Sequence, residues 1–210
     1  MNDNGIIEKL TKLFQEFPGI GPRQARRFIY ALLDKNEDFS KELSLAILEL
    51  KKNTARCGQC FFAFEAANSV SAGGKSRCFV CGDSNRDGSL ILAVERDVDF
   101  ENIEKSKLYN GRYFILGGVL LPLKPETQKM VRFRELFEKV KSDRNIQEII
   151  IATSLTREGE ATALYIEKIL NPFVERKKLR ITRLGRGLST GTEIEYSDAE
   201  TIKNALENRK

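Results

Sequence analysis

Four cysteines arranged as two C-x-x-C units restrict this chain more than any other feature. Cys57 and Cys60 make one pair and Cys78 and Cys81 the other, with seventeen residues between the pairs and no further cysteine in the sequence. Two pairs at this separation can bring four thiolates to one point in tetrahedral geometry, which Zn²⁺ accepts at about 2.3 Å per sulfur. Four protein ligands leave no open coordination position, so the spacing predicts one structural zinc per chain, whose removal melts a small subdomain. Gly58 and Gly82 are expected to give the turns the freedom to aim amides at the sulfurs. Thioredoxin-type redox pairs and an iron–sulfur cluster are the rival readings of the same spacing. Either way, the pairing argues for a reducing compartment over a disulfide framework.

The rest of the composition narrows the function. With 41% hydrophobic and 31% charged residues, 210 residues supply core for one or two packed domains. The 35 Lys and Arg against 30 Asp and Glu leave only +5, so affinity for nucleic acid has to come from local clustering. The absence of His removes the usual general base and the usual catalytic zinc ligand, which makes hydrolase chemistry a poor expectation. No apolar run reaches the roughly 18 residues of a membrane span, and MNDNGIIEKL lacks a basic segment followed by an apolar one. The expectation is a cytoplasmic protein without a membrane partner.

Along the chain, Ile6, Ile7, Leu10, Leu13, Phe14 and Phe17 recur at three and four, one face of an amphipathic helix. Pro18 to Pro22 end it, a second helix starts near Arg23, and a third spans about Ser40 to Lys52 with Leu43, Ile47 and Leu50 on one side. This helical unit of about 55 residues is thin in core area and calls for a partner or a second copy. After the cysteine-rich segment the runs LILAV (90–94), RYFIL (112–116), EIIIAT (148–153) and LRITRL (179–184) read as strands. Helical stretches lie near 98–107, 126–142, 158–170 and 198–209. The alternation predicts a mainly parallel sheet covered on both faces. Ser197 and Glu200 have the spacing of a capping box for the last helix.

Two further constellations could carry chemistry. In FPGIGPRQARRF (17–28), Gly19 and Gly21 bend the chain between two helices, where unpaired amides can meet a phosphate without an intervening Cβ. Arg23, Arg26 and Arg27 follow, with Arg23 and Arg27 one turn apart on a shared face. The pattern is that of a helix-hairpin-helix module that grips DNA backbone without reading bases; the alternative is an ordinary αα-hairpin with a solvated basic face. The other constellation is acidic. Glu95 ends LILAV, and Glu158 and Glu160 follow EIIIAT. At the carboxyl ends of neighbouring strands they could share a Mg²⁺, although acids are also common at helix starts. No nucleophile with a nearby base is found, so no catalytic residue is assigned.

Hairpin, four-cysteine segment and acidic α/β region, in this order, give the chain its resemblance to the RecR family of bacterial recombination mediators. The motifs that carry it are FPGIGPRQARRF, the two cysteine pairs running into GDSNRD, LILAVERDVDFENIE, YNGRYFILGG, IIIATSLTREGEATALYI and ITRLGRGLSTGTEIEYSDAETIKNAL. The resemblance implies an α/β multidomain fold. Its parts are a helix-hairpin-helix DNA-binding domain (1–55), a four-cysteine zinc finger (56–88), a Toprim-like parallel α/β sheet domain (89–184) and a C-terminal strand and helix region for oligomer contacts (185–210). It further implies a non-enzymatic protein that forms a homodimer or homotetramer around DNA and works with RecO and RecF to load recombinase onto gapped or single-stranded DNA. The family's basic hairpin positions fall on Arg23 and Arg27, its zinc ligands on the four cysteines, its Toprim glutamate on Glu95 and its E-G-[ED]-A-T-A segment on Glu158 to Ala163. This chain departs from the family in VLLPLKPETQ (119–128), in Phe114 where a His is usual, and in GLSTGT (187–192). Two alternatives remain at this point: a Mg²⁺-dependent Toprim nuclease or primase-like enzyme, and a zinc-ribbon protein acting on RNA.

Overall fold

Apolar spacing of three and four winds the first segments into α1 (Ile6–Gln15) and α2 (Pro22–Leu33), which pack on each other with the Phe14 and Phe28 rings 5.7 Å apart. A third helix, α3 (Glu37–Asn53), completes one unit of the chain, Met1–Thr54; the other is Ala55–Lys210. The computed structural model describes residues 5–68, 70–72, 75–123, 125–185, 187–188, 191 and 193–207. Helix α3 begins earlier than its apolar pattern suggests, because the Asn36 side chain caps it by accepting the Phe39 amide at 2.9 Å and Glu37 and Asp38 suit its first turn. Among the described residues of this unit only Thr11, Ala25 and Ile29 are buried. The expected stripe on α3 is present but uncovered: Ile47 and Leu50 are each 61% exposed.

The second unit starts with a knuckle of short strands: β1 (Thr54–Arg56) beside β2 (Ala63–Glu65), and β3 (Val70–Ala72) antiparallel to β4 (Lys75–Arg77), followed by the single turn α4 (Phe79–Gly82). Then come β5 (Asp87–Val94), α5 (Asp97–Ser106), β6 (Gly111–Ile115), α6 (Phe133–Ser142), β7 (Glu148–Ala152), α7 (Arg157–Lys177), β8 (Arg180–Arg183) and α8 (Ala199–Glu207). The sheet has the order β6-β5-β7-β8 and all three pairings are parallel, with Leu92 opposite both Tyr113 and Ile150. Period two then sorts the core. Ile91, Ala93, Phe114 and Ile149 join Leu136 and Val140 of α6 and Ile166 and Leu170 of α7 in one cluster. Leu92, Val94, Tyr113 and Ile115 join Phe100 of α5 and Phe62, Phe64 and Val80 of the knuckle in another. The knuckle is therefore part of the cover on one sheet face, with the Phe62 and Phe100 rings 4.1 Å apart. Each such side chain removed from water contributes about 1.5–3 kcal/mol.

Three further helix features differ from the sequence reading, the first two for reasons outside the local pattern. The stretch 126–142 splits into a 3₁₀ turn (Pro125–Lys129) and α6, because the Arg132 amide donates to Leu116 O at 2.9 Å and its guanidinium to Ile115 O at 2.9 Å, pinning that residue to the end of β6. Helix α7 continues beyond Leu170 through Pro172, since buried Leu170 and Phe173 hold both sides of the proline on the core. The last helix is capped by Asp198 rather than Ser197: Asp198 Oδ1 accepts the Thr201 amide at 2.9 Å, while Ser197 Oγ is buried without a partner among the described residues. Ser189, Thr190 and Thr192 of the GLSTGT segment lie outside the described residues, as do Gly73 and Gly74 of the cysteine-rich segment. No helix among the described residues is long and apolar enough to cross a membrane.

Candidate metal centre and nucleic-acid interface

Strand β1 delivers Cys57 into a tight turn, closed by the Phe61 amide on Cys57 O at 3.0 Å and the Cys57 amide on Phe62 O at 2.9 Å. Cys78 stands at the N-cap of α4 and Cys81 within it. A bond from the Gly58 amide to Ser76 O, 2.9 Å, ties the first turn to the strand that precedes the second pair. The four sulfurs lie within 4.8 Å of one another, all are buried, and none is in a disulfide. In a tetrahedral site with bonds of about 2.3 Å, neighbouring sulfurs stand about 3.8 Å apart; Cys60 Sγ and Cys78 Sγ are 3.6 Å apart. The donor set also calls for a cation. Contact with Cys60 holds the Cys57 thiol below the usual range, and contact with Cys57 pushes Cys60 above it. Thiols crowded like this cannot all ionise unless a positive ion stands among them. Cysteines and spacing alike fit zinc.

The turn chemistry differs from expectation in one respect. The Gly58 and Gly82 amides bond to carbonyls, of Ser76 and Cys78, while the Gln59 amide lies 3.4 Å from Cys57 Sγ and the Cys78 amide also bonds that sulfur. Positive φ falls on Phe61, at 67°, whose ring is held edge-on by Phe114 at 5.4 Å and under the Arg132 guanidinium at 5.0 Å.

In the hairpin, Gly19 has φ 79°, the left-handed conformation that favours glycine, whereas Gly21 is extended and serves as the N-cap of α2. A Cβ at either would meet nothing within 4 Å, so the backbone conformation, and not space, requires Gly19. No side chain caps α2, and Pro22 occupies its first turn. The amides of Arg23 and Gln24 therefore stay available at the positive end of the helix. Arg23, Arg26 and Arg27 are all exposed. Arg26 meets Glu8 of α1 at 3.4 Å and Arg27 donates to Gln24 Oε1 at 3.4 Å, which are weak surface contacts. Backbone amides and three cations thus share one end of the helical unit.

The three acids make separate contacts. Strands β5 and β7 are neighbours, so Glu95 at the end of one meets the loop after the other: Glu95 Oε1 accepts the Ser154 amide at 2.6 Å and the Ser154 hydroxyl at 2.8 Å. Glu160 is paired instead with Arg183, which also binds Glu167 at 2.7 Å. Glu158 sits in the first turn of α7, where such a charge suits the helix dipole. Among the described residues, the four cysteines are the group of three or more ligating side chains close enough to hold one ion.

Sequence reasoning assigns nothing to Arg86, Arg132 or Lys139. Arg86, in GDSNRD, is 13% exposed and pairs with Glu104, which also accepts the Tyr113 hydroxyl at 2.9 Å. Burial and that carboxylate push the Tyr113 hydroxyl well above its usual range. Gly159 is another silent requirement: a Cβ there would stand 2.1 Å from Ser154 O. None of these leaves a periodic signal, since each depends on a partner outside its own local pattern.

Residues 89–185 match the Toprim domain family, residues 7–51 the family described as RecR, helix-hairpin-helix, and residues 187–210 that described as RecR, C-terminal. Fold and matches together define a protein that joins a helix-hairpin-helix module to a Toprim sheet by way of a four-cysteine knuckle. The chain is 34% identical over 210 residues to the recombination protein RecR of Enterococcus faecalis, covering 100% of this chain and 99% of the relative. It is 35% identical over 207 residues to the RecR of Myxococcus xanthus, covering 99% and 96%. At 32% over 204 residues it is also similar to the RecR of Ligilactobacillus salivarius, covering 97% and 96%. The chain belongs to the RecR family.

Proposed function

We propose that this chain is a DNA-binding recombination mediator in DNA repair that holds the sugar-phosphate backbone without reading sequence. The observation that carries the reading is the uncapped start of α2, with Gly19 in the left-handed region and Arg23, Arg26 and Arg27 exposed beside it. Such an end offers oriented amides and mobile cations to successive phosphates. The division into domains at 1–55, 56–88, 89–184 and 185–210 belongs to the same proposal, with zinc on Cys57, Cys60, Cys78 and Cys81 as a structural ion that supplies no reactive position. Family membership supports a role beside RecO and RecF in loading recombinase onto gapped or single-stranded DNA. The bare apolar face of α3 supports a dimer or tetramer that surrounds DNA. Glu95, engaged by Ser154, argues against a Mg²⁺ enzyme.

Binding to gapped duplex, measured against salt, tests this. Every phosphate that the protein neutralises steepens the dependence of log K on log[salt] by about 0.9. Arg23→Ala and Arg27→Ala should each make the slope shallower by that amount and weaken all sequences equally. Unchanged affinity at moderate salt in both variants would remove the hairpin as the site. Mg²⁺-dependent turnover of labelled DNA, abolished by Glu95→Gln, would replace the mediator reading with an enzyme.

A further inference from the structure

Lys139 reaches the cysteine turn from a helix on the other side of the sheet. It belongs to α6, yet its Nζ donates to Gln59 Oε1 at 3.2 Å, and Gln59 lies between Cys57 and Cys60 and gives its own amide to Cys57 Sγ. The groups that bear on Lys139 have an unusual balance. Burial is the largest influence and disfavours its charge; Cys81, Asp143 and Cys60 favour it, and Arg112 opposes it. A partly buried ammonium whose hydrogen-bond partner is a neutral amide is costly unless a negative field compensates it. Four thiolates around one Zn²⁺ carry a net double negative charge, which supplies that field. Arg112, near enough to repel Lys139, adds a second positive charge on the same side, and its Nε is buried without a partner among the described residues.

We propose that Lys139 is the outer cation of the four-cysteine site, balancing the metal-thiolate charge and, through Gln59, holding the first cysteine turn against α6. Zinc occupancy and the docking of the knuckle on the Toprim sheet are then one event. Lys139 is a positioning residue and touches no ligand. The inference rests on the reading of the cysteines as a zinc site.

A charge series on the full-length protein tests it: Lys139→Arg, Lys139→Met and Lys139→Glu, with zinc content measured and zinc affinity obtained by competition with a chromogenic chelator. Outer-shell partners of metal ligands are worth roughly 10–100-fold in affinity. Lys139→Arg should stay within about threefold of the parent, Lys139→Met should lose roughly tenfold and Lys139→Glu roughly a hundredfold, following charge and not volume. In protein loaded with Co²⁺, the thiolate-to-cobalt charge-transfer band should shift in Lys139→Met and return in Lys139→Arg, a change that altered packing alone does not produce. Lys139→Met keeps an unbranched apolar stem at this position of α6, so it answers the question even where Lys139→Glu does not fold. Equal affinity and an unmoved cobalt band in Lys139→Met would overturn the role of Lys139. A parent protein that takes up no stoichiometric zinc would overturn the zinc reading itself.

Discussion

The helical unit and the α/β unit solve the problem of burial in opposite ways. In Ala55–Lys210, a parallel sheet with apolar residues on both faces finds cover on each side, from α6 and α7 on one and from α5 and the cysteine knuckle on the other. In Met1–Thr54, α1 and α2 close over Ala25 and Ile29, while α3 leaves Leu45, Ile47, Leu48 and Leu50 in solvent. A sheet strand buried on two sides carries its own requirement for partners within the chain. A helix with a single apolar stripe can defer that requirement to another molecule. The well-covered core thus lies in the second unit, and uncovered apolar surface in the first.

The largest effect is expected from Cys60→Ser or from chelation, since structural zinc contributes apparent free energies of about 10–16 kcal/mol in finger peptides. The α/β unit should lose roughly 5 kcal/mol or more, read by denaturant unfolding, with amide protection in α1 and α2 unchanged; equal loss in both units would erase the distinction. Next comes Ile29→Ala, costing about 3 kcal/mol in a unit with almost no other buried side chain, so that hydrogen exchange in α1 and α2 should become local and fast. Gly159→Ala should cost about 2 kcal/mol, because the carbonyl of Ser154 must move, and should perturb the Glu95–Ser154 contact in NMR spectra. Asp198→Ala should remove about 1 kcal/mol from α8 by loss of its cap. The smallest effect on folding, within about 0.5 kcal/mol, belongs to Ile47→Ser on the open face of α3. The same variant should nevertheless reduce the mass measured in solution, and an unchanged mass would assign the association to another surface.

Features that depend on near neighbours are legible in the sequence. The 3.6 period of Ile6 to Phe14, the short apolar run LILAV and the paired cysteines each give rise to an element at the expected place. The thin core of the helical unit is equally visible in its length. What escapes a reading of the sequence is set by contacts across the chain. Nothing near Arg132 announces that β6 will claim its amide, and nothing near Pro172 shows that Leu170 and Phe173 will hold a helix through it. The acids show the same limit from the other side: the pattern brings the strand ends together, but it does not show that Ser154 meets Glu95 or that Arg183 pairs with Glu160.

Phe61 sets a limit on how far the cysteine turn can stand alone. A left-handed aromatic residue costs roughly 1–2 kcal/mol in backbone energy, and here the ring is kept in that pose by Phe114 of the sheet and by Arg132 beyond it. The bend that aims the first pair of sulfurs is thus maintained from outside the segment that contains them. An excised peptide spanning the two C-x-x-C units would lose both supports and relax toward a right-handed turn, binding metal more loosely than the intact protein. Grafting the motif into another scaffold would require carrying along its distant scaffolding, and a small-looking module would prove to be an extension of the domain beneath it.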